Sequence, residues 1–400
     1  MPMMRTLAAV LAVGFTAVPT SAGPMSMPPE AGHPQGRYGD AIAMGGQARD
    51  ATSDASRSGQ KRARREHRAF WCHSAFGVGG MSWDQAIKIL ADNGFTAILP
   101  NMLWGGVAYY RSDVLPVSPQ VGSQGDQIKA CLAACKKYGV ECHVWKVNHY
   151  LIGGTSPSFV EEMRSQGRTQ ARFDGKPIDW LCPSHPANQK LETDAMVEVA
   201  TKYDVDGVHF DYIRYPGAFA CFCDGCRERF EKTIGEKVAG WPNSLRRRSK
   251  HRQAWLDFRR RQITTIVAGV AKGVRKAKPK VKISAAVFNN WQTYRDSLGQ
   301  DWKLWCDRGY LDFVCPMNYF RDNARFEERV KRQLPWAGNV PCYPGIGMSV
   351  WKPPDDFGKL VKQIEITRRL KTGGFTVFNY GGTAAKKIVP QCGQSVTRRQ

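Results

Sequence analysis

The chain has 400 residues, 42% of them hydrophobic, and a formal charge of +23. That length can bury one large core or two ordinary ones, and the apolar fraction excludes a chain disordered throughout. The charge leaves anionic partners open. However, the only dense basic blocks, Arg246-Arg247-Arg248-Ser249-Lys250-His251-Arg252 and Arg259-Arg260-Arg261, have no nucleic-acid-binding motif around them. Both read as solvated helix faces, and nucleic acid is set aside as a partner.

Residues 1–22 read as an export signal. Arg5 supplies a positive start, Leu7–Val18 is an apolar run too short to span a bilayer, and Thr20-Ser21-Ala22 is a small-residue cleavage site. A secreted or periplasmic chain is expected, with no integral membrane segment after cleavage. Residues 23–67 are rich in Gly, Ser, Ala, Met, Pro and Arg and predict a disordered linker. One folded domain is expected over 68–390, followed by a disordered tail over 391–400.

From Ala69 onward strands and helices alternate. Residues 69–75 read as a first strand, and Ser82 caps a helix over Trp83–Asn93 that stops at Gly94. Strands follow at 95–99, 140–147, 206–212, 281–288, 311–317, 340–346 and 374–379. Helices are predicted at 125–138, 187–203, 252–276, 301–308, 326–334 and 355–370. Eight strands alternating with helices predict parallel βαβ units, and their number and span predict an α/β fold of the (β/α)8 TIM-barrel type. A doubly wound open sheet is the alternative. It calls for a glycine-rich phosphate loop after the first strand, and Phe76-Gly77-Val78-Gly79-Gly80 lacks the G-x-G-x-x-G spacing.

Barrel enzymes place their chemistry at the carboxyl ends of the strands. Those ends carry Asn101 and Trp104; Trp145 and Asn148; His209, Asp211, Arg214 and Tyr215; Trp291; Asn318 and Tyr319; and Asn379. Amides that bind hydroxyls and rings that stack on sugar faces make these residues candidate contacts for a polyol. Asp211 stands out, because it ends a strand whose apolar residues are expected to alternate into the barrel. The neighbouring Arg214 is expected to keep it ionised at neutral pH, which suits a nucleophile.

The run Asp206-Gly207-Val208-His209-Phe210-Asp211-Tyr212-Ile213-Arg214-Tyr215-Pro216 resembles the signature of the glycosyl-hydrolase-like family 10 proteins. Supporting segments are Leu181-Cys182-Pro183-Ser184-His185-Pro186, Gly299-Gln300-Asp301-Trp302 and Leu311-Asp312-Phe313-Val314-Cys315-Pro316-Met317-Asn318-Tyr319. The resemblance covers about residues 68–380. It implies a (β/α)8 barrel and an exported glycoside hydrolase acting on a polysaccharide or glycan. It also implies a distant similarity to the α-galactosidase and α-amylase superfamilies, whose nucleophilic Asp ends strand four, here Asp211.

Glycoside hydrolysis normally needs a second carboxyl group. Asp301 and Asp322 are the leading candidates, ahead of Asp296 and Asp113, and Asp301 is also open to being a helix cap. Two other readings stay open. One is a carbohydrate-binding barrel without catalysis. The other is a metal-dependent barrel hydrolase, such as a deacetylase, with His209 and Asp211 as ligands and His149 available nearby. The oligomeric state cannot be read from the sequence.

Cys221, Cys223 and Cys226 form a C-x-C-x-x-C cluster that suits a tetrahedral metal better than separate bridges, and Cys182 is the expected fourth ligand. The family 42 β-galactosidases carry a similar zinc site. Four sulfurs leave no open position, so the expected zinc is structural, and no cofactor is expected for catalysis. A disulfide pair is the alternative. Cys131, Cys135 and Cys142 make a second, looser group, bridged or free.

Overall fold

The computed structural model describes residues 65–246, 248–350 and 357–398. The expected export signal and almost all of the expected linker lie outside them. Eight strands form a closed barrel: β1 His67–Cys72, β2 Ala97–Leu103, β3 Glu141–Val147, β4 Gly207–Asp211, β5 Lys282–Phe288, β6 Phe313–Asn318, β7 Gly345–Gly347 and β8 Gly374–Phe378. Each pairs in parallel with the next, and β8 closes on β1 through Trp71 opposite Phe378. The predicted α/β barrel is the observed fold.

Local chemistry accounts for the element boundaries. Ser82 and Gln85 form a reciprocal capping box before the helix Trp83–Asp92. Asp126 caps the helix Gln127–Tyr138, which ends at Gly139 in the left-handed region, φ 67°. The seventh strand is shorter than predicted. Pro341 and Pro344 lack the N–H a ladder needs, so the segment 340–344 contributes only one isolated bridge, Cys342 with Val314. The expected disordered tail is ordered through residue 398. Val389–Gln394 is helical, and fully buried Thr397 donates to the Asn93 carbonyl at 2.6 Å and accepts from Arg68 Nη1 at 3.0 Å. The segment between β3 and the helix Pro186–Lys202 has structure of its own. It carries a helix, Pro157–Ser165, and a hairpin of Thr169–Ala171 with Pro177–Leu181.

Strand alternation sorts the core into two layers. Ala69, Trp71, Leu99, Trp145, Val147, Ala286, Phe313 and Cys315 fill the barrel interior. Phe70, Ile98, Val144, Val208, Phe210, Ile283 and Val314 face the helices. The expectation that the apolar residues of β4 point into the barrel is therefore reversed: Val208 and Phe210 pack outward, and His209 and Asp211 point inward.

One basic block also departs from expectation. On the helix Arg252–Ala277, Arg259 is buried and not solvated. It donates to the carbonyls of Gly217 and Ala220 at 2.8 and 2.7 Å and to those of Asp296 and Ser297, and it lies 4.3 Å over the Tyr215 ring. The two Nη groups of this buried guanidinium, bonded to carbonyls, tie the loops after β4 and β5 together. No helix among the described residues is long and apolar enough to cross a membrane.

Candidate active site

Asp211 is the last residue of β4 and is 7% exposed. Its Oδ1 accepts the Tyr212 amide at 2.7 Å. Burial pushes the carboxyl up to about 7, and the Tyr212 amide, Arg214 and the Trp145 indole pull it back only in part. Arg214 lowers the carboxyl as expected, but burial outweighs it, so Asp211 is held nearer neutrality than full ionisation requires. Among the described residues Asp211 and Arg214 form no ion pair. The guanidinium instead lies over the rings of Tyr212, Phe288 and Trp180 at 4.5, 5.0 and 5.3 Å and donates to the Tyr215 carbonyl. Desolvation wins because the cation is spent on aromatic faces.

Aromatic rings, half-buried apart from buried Trp180, cluster at the carboxyl ends of the strands. Tyr212 stacks on Trp180 at 5.5 Å and on Tyr150 at 5.7 Å, and Trp104 lies 6.1 Å from Tyr150. Across the mouth Tyr319 stacks on Phe378 at 5.6 Å. His73, just past β1, is solvent-exposed yet ringed by Trp145, Phe378 and Trp104 at 4.9, 5.9 and 6.0 Å. His73, Tyr150, Trp180 and Phe378 were not singled out from the sequence, although each lies at or just beyond a strand end or in the β3 loop. Trp104, Tyr319 and Asn379 are half-buried at or just beyond strand ends, whereas Trp145 is fully buried in the barrel interior.

Other expected contacts turn away. The Asn318 side chain is buried in a reciprocal pair with Gln333, at 2.9 and 2.7 Å. Asn148 donates to Glu192 on the outer helix at 2.6 Å. Asn101 bridges the Leu103 and Trp145 carbonyls where the β2–β3 register shifts. Tyr215 is fully buried beneath Arg259. Amides at strand ends serve the barrel wall in these places.

The two expected partner carboxylates exchange roles. Asp322 is exposed and caps the helix Asn323–Ala337 through the Arg325 amide at 2.7 Å. Asp301 precedes the helix Trp302–Asp307 but makes no side-chain cap bond; buried, it accepts the Trp291 indole N–H at 2.6 Å. Its neighbour Gln300 accepts the Phe288 amide at 2.7 Å, which sets Asp301 beside the end of β5. Asp296 pairs with Arg260, and Asp113 pairs with Lys202 at 2.8 Å on the surface. None of these carboxylates is among the groups that shift Asp211.

His209 has no free nitrogen. Nε2 accepts from Trp71 Nε1 at 2.9 Å, which places the proton on Nδ1, 2.8 Å from Ser284 Oγ. Burial holds its pKa well below the usual range. With both nitrogens engaged, it offers no lone pair to a metal beside Asp211. The expectation of a His209–Asp211 metal site is not met, and the two metal-competent groups among the described residues consist of cysteines.

A carboxylate missed in the sequence is Glu192. It is fully buried and receives Asn148 Nδ2, the His149 amide at 3.0 Å and Lys146 Nζ at 3.5 Å. These contacts hold the end of β3, where His149 takes φ 64°. It was legible in principle, because Glu192 stands on the inward stripe with Asn188, Ala195, Met196 and Val199.

The four expected metal ligands do converge. Cys182 Sγ lies 3.4, 3.8 and 3.9 Å from the sulfurs of Cys226, Cys223 and Cys221, and all four sulfurs lie within 4.8 Å of one another. Sulfurs about 2.3 Å from a tetrahedral zinc stand ~3.8 Å apart, so the donor set fits. None of the four is in a disulfide.

With this geometry in place, comparison with known proteins is direct. Residues 79–344 match the family model "Glycosyl hydrolase-like 10". Glycosyl hydrolase DigH of Escherichia coli is 24% identical over 259 residues, 56% of this chain and 55% of that protein. Glycosyl hydrolase YngK of Bacillus subtilis is 23% identical over 364 residues, 77% of this chain and 66% of that protein. The chain thus spans little more than half the length of the first of these relatives. The glycoside hydrolase domain of PgaB (BpsB) from Bordetella bronchiseptica superposes with a TM-score of 0.62 at 13% identity, over 84% of this chain and all of that one, a likeness of fold. The chain belongs to the glycosyl hydrolase-like 10 family.

Proposed function

We propose that the chain hydrolyses a polysaccharide or glycan bound across the aromatic mouth of the barrel, with Asp211 as its catalytic carboxyl group. The observation that supports this reading is the position of Asp211: it ends β4 at the carboxyl face of the barrel, next to the Tyr212 ring, and burial lifts its pKa to about 7. A carboxyl group poised near neutrality suits a general acid better than a nucleophile. Asp211 then protonates the glycosidic oxygen as the C–O bond breaks, and a second carboxylate takes a proton from the attacking water. Asp301 is the group for that second role, since Asp322 is committed to its helix cap. No second carboxylate shares a hydrogen bond or ion pair with Asp211, and this reading adopts the inverting course, in which the attacking water lies between the two groups.

A panel of aryl glycosides and polysaccharides, run with wild type and Asp211→Asn and with the product anomer followed by NMR, tests this reading. Turnover by wild type with an inverted anomer is expected. The same isolation of Asp211 also favours a second reading, a binding barrel, for which saturable glycan binding with no turnover by wild type is the distinguishing result.

Two further parts belong to the proposal. Cys182, Cys221, Cys223 and Cys226 hold a structural zinc that locks the β4 loop, and elemental analysis of purified protein tests it. The signal at residues 1–22 exports the chain, and the N-terminal sequence of the mature protein tests that.

A further inference from the structure

A second convergence of sulfurs lies away from the cleft. Cys131 and Cys135 sit one turn apart on the helix Gln127–Tyr138, facing Cys142 at the start of β3. All three are buried, none is in a disulfide, and their sulfurs lie within 4.8 Å of one another, Cys131 and Cys135 at 4.0 Å. Donor number distinguishes this trio from the four-cysteine group, and its spacing is compatible with a three-coordinate ion. Three sulfurs in a plane, each about 2.3 Å from a central ion, stand ~4.0 Å apart, against ~3.8 Å in a tetrahedron. No imidazole or carboxylate among the described residues joins the trio as a fourth donor. Zinc prefers four donors, whereas a soft monovalent cation accepts three thiolates.

The surroundings suit such an ion. Cys135 borders a cavity of about 780 Å³ at the amino ends of β3, β4 and β5, the end of the barrel opposite Asp211. Asp204 and Asp206 on its wall offer an approaching cation carboxylate oxygens. Lys278 lies on the same wall, where Lys136 and Lys282 are paired with Asp204 and Glu141 at 2.8 and 2.9 Å.

We infer that Cys131, Cys135 and Cys142 form a three-coordinate thiolate site for a soft monovalent cation of the Cu(I) type. Binding exchanges three S–H protons, released to solvent, for three sulfur–metal bonds, and no electron is transferred.

An anaerobic Cu(I) titration of the full chain against a competing chelator tests this, with zinc content followed in parallel and the copper environment read by X-ray absorption. One tightly held equivalent of copper with three sulfur neighbours is expected, with no release of zinc. Cys131→Ser should lose that equivalent and keep the zinc. The absorption measurement on wild type decides the matter even if the variant folds poorly. Copper that displaces zinc one for one, copper retained by Cys131→Ser, or a disulfide among the three in protein purified without reductant would overturn the assignment.

Discussion

Tyr212 donates its backbone N–H to Asp211 Oδ1 at 2.7 Å, while its ring lies beneath the Arg214 guanidinium at 4.5 Å. Tyr212 thus stands between an acid and a base that are three residues apart in sequence and do not pair. The result is a buried carboxyl group lifted to about 7.

This lift predicts a pH signature in the rate. If Asp211 donates the proton, kcat/KM falls as pH rises through about 7, because the donor is lost. If Asp211 is a nucleophile, the same group produces an acidic limb, with activity rising through 7. A pH–rate profile of wild type separates the two, and the account predicts the falling limb.

The lift also predicts a stability signature. An unfolded Asp titrates near 3.9, so between about pH 4 and 7 the folded chain keeps a proton the unfolded chain has released. The stability this group contributes is complete below about pH 4 and is lost as pH rises through 7. A shift of this size amounts to up to about 4 kcal/mol. Asp211→Asn cannot ionise, so its Tm should gain on wild type as pH is raised from 4 to 8. Parallel Tm curves for the two proteins would show that burial of Asp211 has been overstated.

Asp322 and Asp301 should part company on mutation. Asp322→Ala removes a helix cap and should cost about 1 kcal/mol in urea denaturation with turnover unchanged. Asp301→Asn should keep its fold and lose turnover by a factor on the order of 100 or more. A loss of turnover in Asp322→Ala comparable to that in Asp301→Asn would reverse the assignment.

Glu192 is a hub within the protein and lies outside the cleft. Replacing it by Ala leaves the buried Lys146 charge with the neutral Trp104 carbonyl and no carboxylate, and breaking a buried pair in this way typically costs about 3–5 kcal/mol. Thermal denaturation should show that loss, whereas Trp104→Ala, at the mouth, should raise KM about tenfold with little change in Tm. An unchanged KM in Trp104→Ala would remove that ring from the substrate platform.

Much of the barrel was legible because strand alternation and capping are local. Ser82, Asp126 and Gly139 bound their helices as their residue types require. The seventh strand was overextended because two prolines cut its ladder. The site was less legible because its chemistry depends on burial and on which way a strand end turns. Asp211 was found from its position, but the balance between desolvation and the Arg214 charge requires knowing that the guanidinium is occupied by three rings. Asn318 and Tyr215 read as sugar contacts by residue type, yet Gln333 and Arg259, distant in sequence, claim them. Asp301 and Asp322 were ranked together because they lie in neighbouring loops after strands, and only the local geometry shows that Asp322 is the one that caps a helix.

The most direct test of the central claim is the turnover of Asp211→Asn on a glycan that wild type hydrolyses, measured alongside its Tm at the same pH. The account predicts a loss of several orders of magnitude in kcat with a Tm equal to or above that of wild type. A variant that melts early yet turns over at the wild-type rate while folded would show that Asp211 holds the barrel together and takes no part in the chemistry.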